Sequence, residues 1–131
     1  MEIFSIGVLS LSGLLLLSVG ALRVSNPIGS YSKFSGVKLE NEVNLLNEVR
    51  GTSAVMLFGG ATILSGTTIP QMTFASHVVA ILIFLGFAFG RLVSIRLDGR
   101  PNKLIIQGLI FELVFGSLNI VGLFNFNPGL S

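Results

Sequence analysis

Four long apolar segments limit what this chain can fold into more than any other feature. They predict helices at about residues 3–22, 40–65, 74–95 and 104–124. A helix needs roughly 20 apolar residues to cross the hydrocarbon layer of a bilayer. Three of the runs reach this length, and the second, at about 52–65, reaches it when extended backward to residue 45. Such unbroken runs favour helices, which satisfy their own backbone groups in lipid, over the alternating strands of a membrane barrel. The sequence therefore predicts a single all-α domain over residues 1–131, an integral membrane four-helix bundle.

Composition agrees with a membrane location and removes several kinds of chemistry. The chain is 51% hydrophobic and 11% charged, and its mean hydropathy is +0.86. With no cysteine, it has no thiol nucleophile, disulfide exchange or thiolate metal site of its own. Its one histidine, His77, cannot alone provide a paired haem site or a polyhistidine metal site. No metal or cofactor is expected, and basic residues without interleaved aromatics give no indication of nucleic-acid binding.

The basic residues predict the orientation of the helices in the membrane. All eight lie in, or within a turn or two of, the connections 23–50 and 96–103. By the positive-inside rule these connections face the cytoplasm. If the four helices alternate in direction, both termini then lie on the non-cytoplasmic side.

A carboxylate in the fourth apolar segment requires a physical explanation. Glu112 lies eight residues after Leu104, or about 12 Å deep against a half-thickness of about 15 Å. An isolated ionised carboxylate there would cost several kcal/mol, so we expect it to be protonated, paired or facing water. Gly108, Gly116 and Asn119 share its helical face, and the glycines predict that a neighbouring helix approaches this face closely.

Three other charged residues lie at a similar predicted depth. Arg91 follows Gly86 and Gly90, a small-xxx-small pattern on the third helix, and Glu48 and Arg50 lie on the second. We therefore predict a buried cluster of zero net charge in the cytoplasmic half of the bundle, formed by Glu48, Arg50, Arg91 and Glu112. Its role is either to fix helix packing, as buried ion networks often do, or to bind a ligand or proton.

His77 and Asn119 are secondary polar candidates. For His77, a hydrogen-bonded packing role is expected rather than proton transfer. No set of residues forms a recognisable catalytic motif, so no catalytic residue is predicted.

Three segments carry a resemblance to a known family: NEVRGTSAVMLFGG, GFAFGRLVSIRLDGRPN and FELVFGSLNI. Together they resemble a family of small bacterial membrane proteins described as domain of unknown function four-three-four-five, which is grouped loosely with DoxX-like four-helix proteins. The resemblance implies that the four charged positions are a family feature and that the protein resides in the bacterial inner (cytoplasmic) membrane. It implies no activity.

Two functions follow as hypotheses. The first is a non-enzymatic accessory or scaffold subunit of a larger membrane complex, with the lipid bilayer, other membrane subunits or a homo-oligomer as partners. The second is a binding protein or isomerase for a hydrophobic ligand, such as a quinone, isoprenoid or sterol-like lipid, that uses Glu112.

Overall fold

The computed structural model describes residues 2–126, and regular structure within that range is entirely helical. Five α-helices follow one another: α1 Ile3–Ser25, α2 Pro27–Ser30, α3 Val43–Ser65, α4 Thr73–Asp98 and α5 Lys103–Asn125. A π-helical turn, Tyr31–Ser35, continues from α2, and a 3₁₀ turn, Pro70–Met72, leads into α4. The connection after α1 thus contains a short helix and a π turn. Residue 1 and residues 127–131 of the predicted domain lie outside the described residues.

Side-chain caps explain where two of the long helices begin. The Glu42 carboxylate accepts hydrogen bonds from the backbone amides of Asn44 and Leu45, so α3 begins at Val43 rather than near residue 40. The Asn102 side chain accepts from the amide of Ile105 at the start of α5. Such caps satisfy amides that have no partner within the helix.

Three helical segments are long and apolar enough to cross a membrane: Ile3–Ser25, Pro70–Asp98 and Lys103–Asn125. Helix α3 is not among them, although the sequence analysis predicts four spans. Its first turns carry Glu48 and Arg50, and small or polar residues interrupt its apolar run. These residues lower the mean hydropathy of a helix whose length alone would be sufficient.

Helices α1 and α3 approach each other closely because glycines lie at their contact. A Cβ atom on Gly20 would lie 2.5 Å from the backbone nitrogen of Leu57, and one on Gly60 would lie 2.5 Å from that of Leu17. There is no room for a side chain at either position. The two backbones therefore pack against each other directly, as small residues allow in membrane helix pairs.

The four long helices alternate in direction. Gly13 of α1 faces Leu64 of α3, and the later Gly20 faces the earlier Leu57. Arg91 near the end of α4 contacts Glu112 in the first half of α5. The connections 26–42 and 99–102 consequently lie together at what we call the basic end. The turn 66–72 lies at the opposite end. Between the two ends a core forms from apolar side chains of α1, α3 and α4: Leu9, Leu16, Met56, Ile63, Ala80 and Phe84.

Candidate functional site

An ion pair joins α4 and α5, two of the three helices on which the sequence analysis placed the predicted charge cluster. Nε of Arg91 on α4 donates a hydrogen bond to Oε1 of Glu112 on α5, at 2.8 Å. The Glu112 side chain is 11% exposed, whereas the Arg91 side chain is 29% exposed. The carboxylate that required an explanation is thus paired inside the helix assembly rather than directed at lipid.

A second arginine, Arg23 at the end of α1, completes the charged site. Arg23 lines the same cavity as Arg91 and Glu112. One terminal nitrogen donates to the Ser35 hydroxyl at 3.0 Å, and the guanidinium carbon lies 4.3 Å from the centre of the Tyr31 ring. We call Arg23, Arg91 and Glu112 the charged site. It carries a formal charge of +1, from two arginines and one glutamate.

The π turn holds Arg23 in place and is itself fastened to the start of α5. The Asn102 side chain donates to the backbone carbonyl of Ser35 at 2.9 Å, while the Ser35 hydroxyl accepts from Arg23. The αL conformation of Gly36, at φ 64°, ends the turn. This segment thereby links α1 to the start of α5 at the basic end.

Two cavities meet at the charged site. One, of about 170 Å³, lies among α1, α4 and α5 and reaches Glu112. The other, of about 410 Å³, lies between α3 and α4. Both are bordered by the same six residues: Arg23, Ser35, Met56, Phe87, Arg91 and Ile105. The remaining wall of the first cavity is largely aliphatic and aromatic, formed by residues such as Leu15, Leu16, Val19, Phe84, Leu104 and Phe111.

The structure does not bring Glu48 and Arg50 to the Arg91–Glu112 pair. Both side chains are exposed, and Nε of Arg50 donates instead to the backbone carbonyl of Val24 at 2.8 Å. Within residues 2–126, Arg91 and Glu112 form the one ion pair. The predicted neutral cluster of four charges is therefore wrong, and a three-residue site with an excess positive charge takes its place. The physical reason is that depth along a helix does not set the direction of a side chain.

Three glycines near the charged site leave space instead of admitting a neighbouring backbone. A Cβ atom added to Gly86, Gly90 or Gly108 would meet no other atom within 4 Å. Gly108 borders the first cavity, and Gly86 and Gly90 border the second. The expectation of close packing at these three positions is therefore wrong. At Gly116, on the same face of α5 as Glu112, a Cβ atom would meet the Leu85 side chain.

Towards the opposite end, a second polar group joins α1, α4 and α5. Nδ1 of His77 lies 2.9 Å from Oδ1 of Asn119, and Nε2 lies 3.2 Å from Oγ of Ser5. Nδ2 of Asn119 donates to Oγ of Ser12 and to the carbonyl of Phe115. Because the amide oxygen of Asn119 faces the ring, we assign the proton to Nδ1 of His77, and the Ser5 hydroxyl then donates to Nε2.

This histidine network, formed by Ser5, Ser12, His77 and Asn119, is closed. His77, Asn119 and Ser12 have no exposed surface, and Ser5 keeps 4%. In the described part of the chain, no fully buried side-chain nitrogen or oxygen is left without a hydrogen-bond partner. Neither cavity at the charged site includes a member of the network.

The arrangement of residues 2–126 restricts the chemistry available. No group of three histidine, cysteine, aspartate or glutamate residues in that range could hold a metal ion. What the charged site offers is a pair of guanidinium groups beside one carboxylate, next to apolar space. Guanidinium groups are planar donors suited to oxygen anions.

Sequence reasoning identified Arg91, Glu112, His77 and Asn119, but missed Arg23 as a site residue and three serine partners, Ser5, Ser12 and Ser35. The sequence did contain a pattern that could have identified the α1 residues of these sites. The inward residues of α1 are spaced by three, four or seven and share one helical face: Ser5, Leu9, Ser12, Leu16 and Arg23. Ser35 depends on the fold of the connection and gave no signal.

Comparison with known proteins yields a family and no activity. No curated protein and no solved structure matches the chain significantly. A family model with the description Domain of unknown function (DUF4345) matches residues 6–123. This match covers most of the chain, including the charged site and most of the histidine network. The chain therefore belongs to the DUF4345 family.

Proposed function

We propose that the protein binds a hydrophobic small molecule in the cavities at the basic end. The observation that carries this proposal is the position of the Arg91–Glu112 pair, which borders cavities with largely apolar walls. Together the cavities are within the size range of ligand pockets, about 300–1,000 Å³. A small number of polar groups beside apolar walls is typical of sites that orient a small molecule.

The glycines beside the cavities provide a second argument for ligand binding. Gly86, Gly90 and Gly108 lie on helices, where glycine destabilises relative to alanine by roughly 0.5–1 kcal/mol. No neighbouring backbone requires a glycine at these positions. A binding site would gain from these glycines, because a larger side chain would fill part of the cavity.

A pair of leucine variants tests the proposal. Gly108→Leu extends a side chain into the first cavity, whereas Gly7→Leu adds the same side chain to an exposed position of α1, where a Cβ atom meets nothing within 4 Å. We expect native mass spectrometry of the wild-type protein, released from mild detergent, to show a bound molecule of defined mass. Gly7→Leu should retain that molecule, and Gly108→Leu should lose it.

The same experiment addresses the accessory-subunit hypothesis. Stoichiometric polypeptides that accompany the wild-type protein, with no bound small molecule, would contradict the ligand proposal and favour a scaffold role. Retention of the same molecule by Gly108→Leu would also contradict it, because the ligand would then lie elsewhere. An isomerase reaction that uses Glu112 remains a prediction of the sequence analysis.

We further propose that all four long helices cross the membrane, as a four-helix bundle with the basic end in the cytoplasm and both termini outside. Helix α3 supports this because it runs between the same two ends as its neighbours and exposes large apolar side chains, Val55 at 64% and Phe58 at 73%. Basic residues adjoin only the connections 26–42 and 99–102. The bacterial inner membrane and the DoxX-like grouping remain predictions from the resemblance.

Single cysteines can test this orientation because the chain has none of its own. Ser32→Cys places a thiol at an exposed position of the basic end, and Thr68→Cys places one at the opposite end. In intact cells, a membrane-impermeant maleimide should label Thr68→Cys and should label Ser32→Cys only after permeabilisation. The reverse pattern would invert the proposed orientation, and equal labelling of both would contradict four spans.

A further inference from the structure

The charged site has more hydrogen-bond donors than residues 2–126 of the protein satisfy. An arginine has five N–H groups. Within the described residues, Arg91 uses its Nε towards Glu112, and Arg23 uses its terminal nitrogens towards Ser35 and, weakly, the Met56 sulfur at 3.9 Å. None of the unused nitrogens is sealed from solvent, since no fully buried side-chain nitrogen in the described part of the chain lacks a partner. The remaining donors therefore face space that another molecule can enter.

The charges of the site are also unbalanced. Among residues 2–126, Glu112 is the only carboxylate that borders either cavity, and both Arg23 and Arg91 border both. Glu48, the one acidic residue of α3, does not supply the missing negative charge, because its side chain is exposed and borders neither cavity. A site of formal charge +1 within an apolar helix assembly is stabilised by an added anion.

Each of the two guanidinium groups has its own protein partner, Glu112 for Arg91 and Ser35 for Arg23. Glu112 accepts from Nε of Arg91, which leaves the terminal nitrogens of that side chain unpaired within the described residues. Ser35 and the Tyr31 ring fix Arg23 from the side of the π turn. Glu112 is in this sense a positioning residue, which orients Arg91 and does not itself have to contact the ligand.

We infer that the ligand is a single-chain amphiphile whose anionic head group, a carboxylate or a phosphate monoester, binds between Arg23 and Arg91. Its hydrocarbon chain occupies the apolar cavity that Leu15, Phe84 and Leu104 border. Guanidinium groups recognise both kinds of head group through paired N–H donors. This inference rests on the proposed function and specifies the chemistry of the same site.

A series of probes with one chain and different head groups tests the inference on the wild-type protein. The probes are dodecyl phosphate, dodecanoate, dodecanol and dodecyltrimethylammonium, with inorganic phosphate as a head group without a chain. Binding is measured by isothermal titration calorimetry in one nonionic detergent. We expect at least one of the two anionic amphiphiles to bind roughly tenfold or more tightly than dodecanol, the cationic probe and inorganic phosphate. Binding of only one anion would support the inference and identify the head group.

Matched arginine variants test where the head group binds. Arg23→Met removes a guanidinium from the site, and Arg96→Met makes the same change of charge at an exposed residue that borders neither cavity. Arg23→Met should weaken binding of the preferred anion roughly 10- to 100-fold, and Arg96→Met should leave it within about twofold. Equal weakening by both variants would overturn the assignment, because it would indicate a general surface effect of charge.

The outcomes separate this inference from the proposal on which it rests. Dodecanol that binds as tightly as the anions, or a neutral molecule retained in native mass spectrometry and lost in Gly108→Leu, would overturn the anionic head group and preserve the binding site. Inorganic phosphate that binds as tightly as dodecyl phosphate would overturn the amphiphile. If Arg23→Met does not fold, the probe series on the wild-type protein still decides the head group.

Discussion

The charged site and the histidine network are both polar groups shared by α1, α4 and α5, yet they differ in how completely the protein satisfies them. The histidine network uses each side chain in hydrogen bonds and borders neither cavity of the basic end. Within residues 2–126, the charged site leaves guanidinium donors unused, carries an excess positive charge and borders both cavities.

We interpret this difference as one between a structural role and the proposed binding role. A fully satisfied buried network fixes which helix faces meet, because any other arrangement would leave its members without partners. Arginines with spare donors beside open space contribute less to that specificity and more to recognition of another molecule. Whether a buried polar residue of a membrane helix serves packing or binding is therefore judged from the number of its hydrogen-bond donors that the protein leaves unsatisfied.

The largest effect is expected from Asn119→Leu in the histidine network. This change removes the partner of His77 and of Ser12. Each buried group left without a hydrogen bond costs about 1–3 kcal/mol, so the loss in free energy of unfolding should be on the order of 3 kcal/mol. Unfolding in mixed micelles measures it, with Ser117→Leu, at an exposed position of the same helix, as the control. A loss no larger than that of the control would show that the network does not hold the helices together.

Two glycines of α5 provide the next comparison. A Cβ atom on Gly122 would collide with the His77 ring, approaching Nε2 to 2.9 Å, whereas one on Gly108 would meet nothing within 4 Å. Gly122→Ala should therefore lower the free energy of unfolding by about 1–3 kcal/mol. Gly108→Ala should leave it unchanged or raise it by up to about 1 kcal/mol, since alanine favours the helix. Similar losses from both would contradict the contrast between a closed region and an open one.

A double-mutant cycle measures the coupling within the charged site. Arg91→Met leaves Glu112 without its hydrogen-bond donor, and Glu112→Gln removes the charge that Arg91 faces. The double variant should lose less stability than the sum of the single variants, with a coupling of about 1 kcal/mol. Thermal unfolding in detergent supplies the three values. Additive losses would indicate that the two side chains do not interact directly.

The smallest effect is expected at Glu42, an exposed carboxylate outside both regions. The backbone amides of Asn44 and Leu45 hydrogen-bond to it and lower its pKa. A carboxylate with a lowered pKa in the folded state contributes stability above its unfolded pKa and loses it as the pH falls through the folded pKa. The melting temperature of Glu42→Ala should therefore lie slightly below that of the wild type at neutral pH, and the difference should vanish in acid. A difference that grows in acid would contradict the cap.

Much of the architecture could be inferred from the sequence because apolar length and helical spacing are local properties. The all-helical fold and the family follow from the apolar runs and from segments such as NEVRG. The positions of Arg91 and Glu112 could be related because both lie on helices whose depth can be counted from one end. Helix α3 is the exception among the four predicted spans. Its polar residues lower its mean hydropathy, and the length of the helix alone does not reveal this.

What could not be inferred depends on rotation of helices and on the path of a connection. Whether Arg50 or Arg23 approaches Glu112 depends on which face each helix turns inward, and α3 turns Ser53 and Met56 inward rather than Arg50. The role of Ser35 arises only when the π turn folds back towards Asn102. Glycine spacing is equally ambiguous, because it marks close backbone contact at some positions of the chain, such as Gly20 and Gly60, but open space at Gly108.

The most direct test is an experimental density map of the protein purified in its membrane lipids, at a resolution that shows side chains. The account predicts non-protein density in contact with the guanidinium groups of Arg23 and Arg91 and extending between Leu15 and Leu104, while His77 and Asn119 remain in contact. Side chains packed across that space, with no room for another molecule, would contradict it.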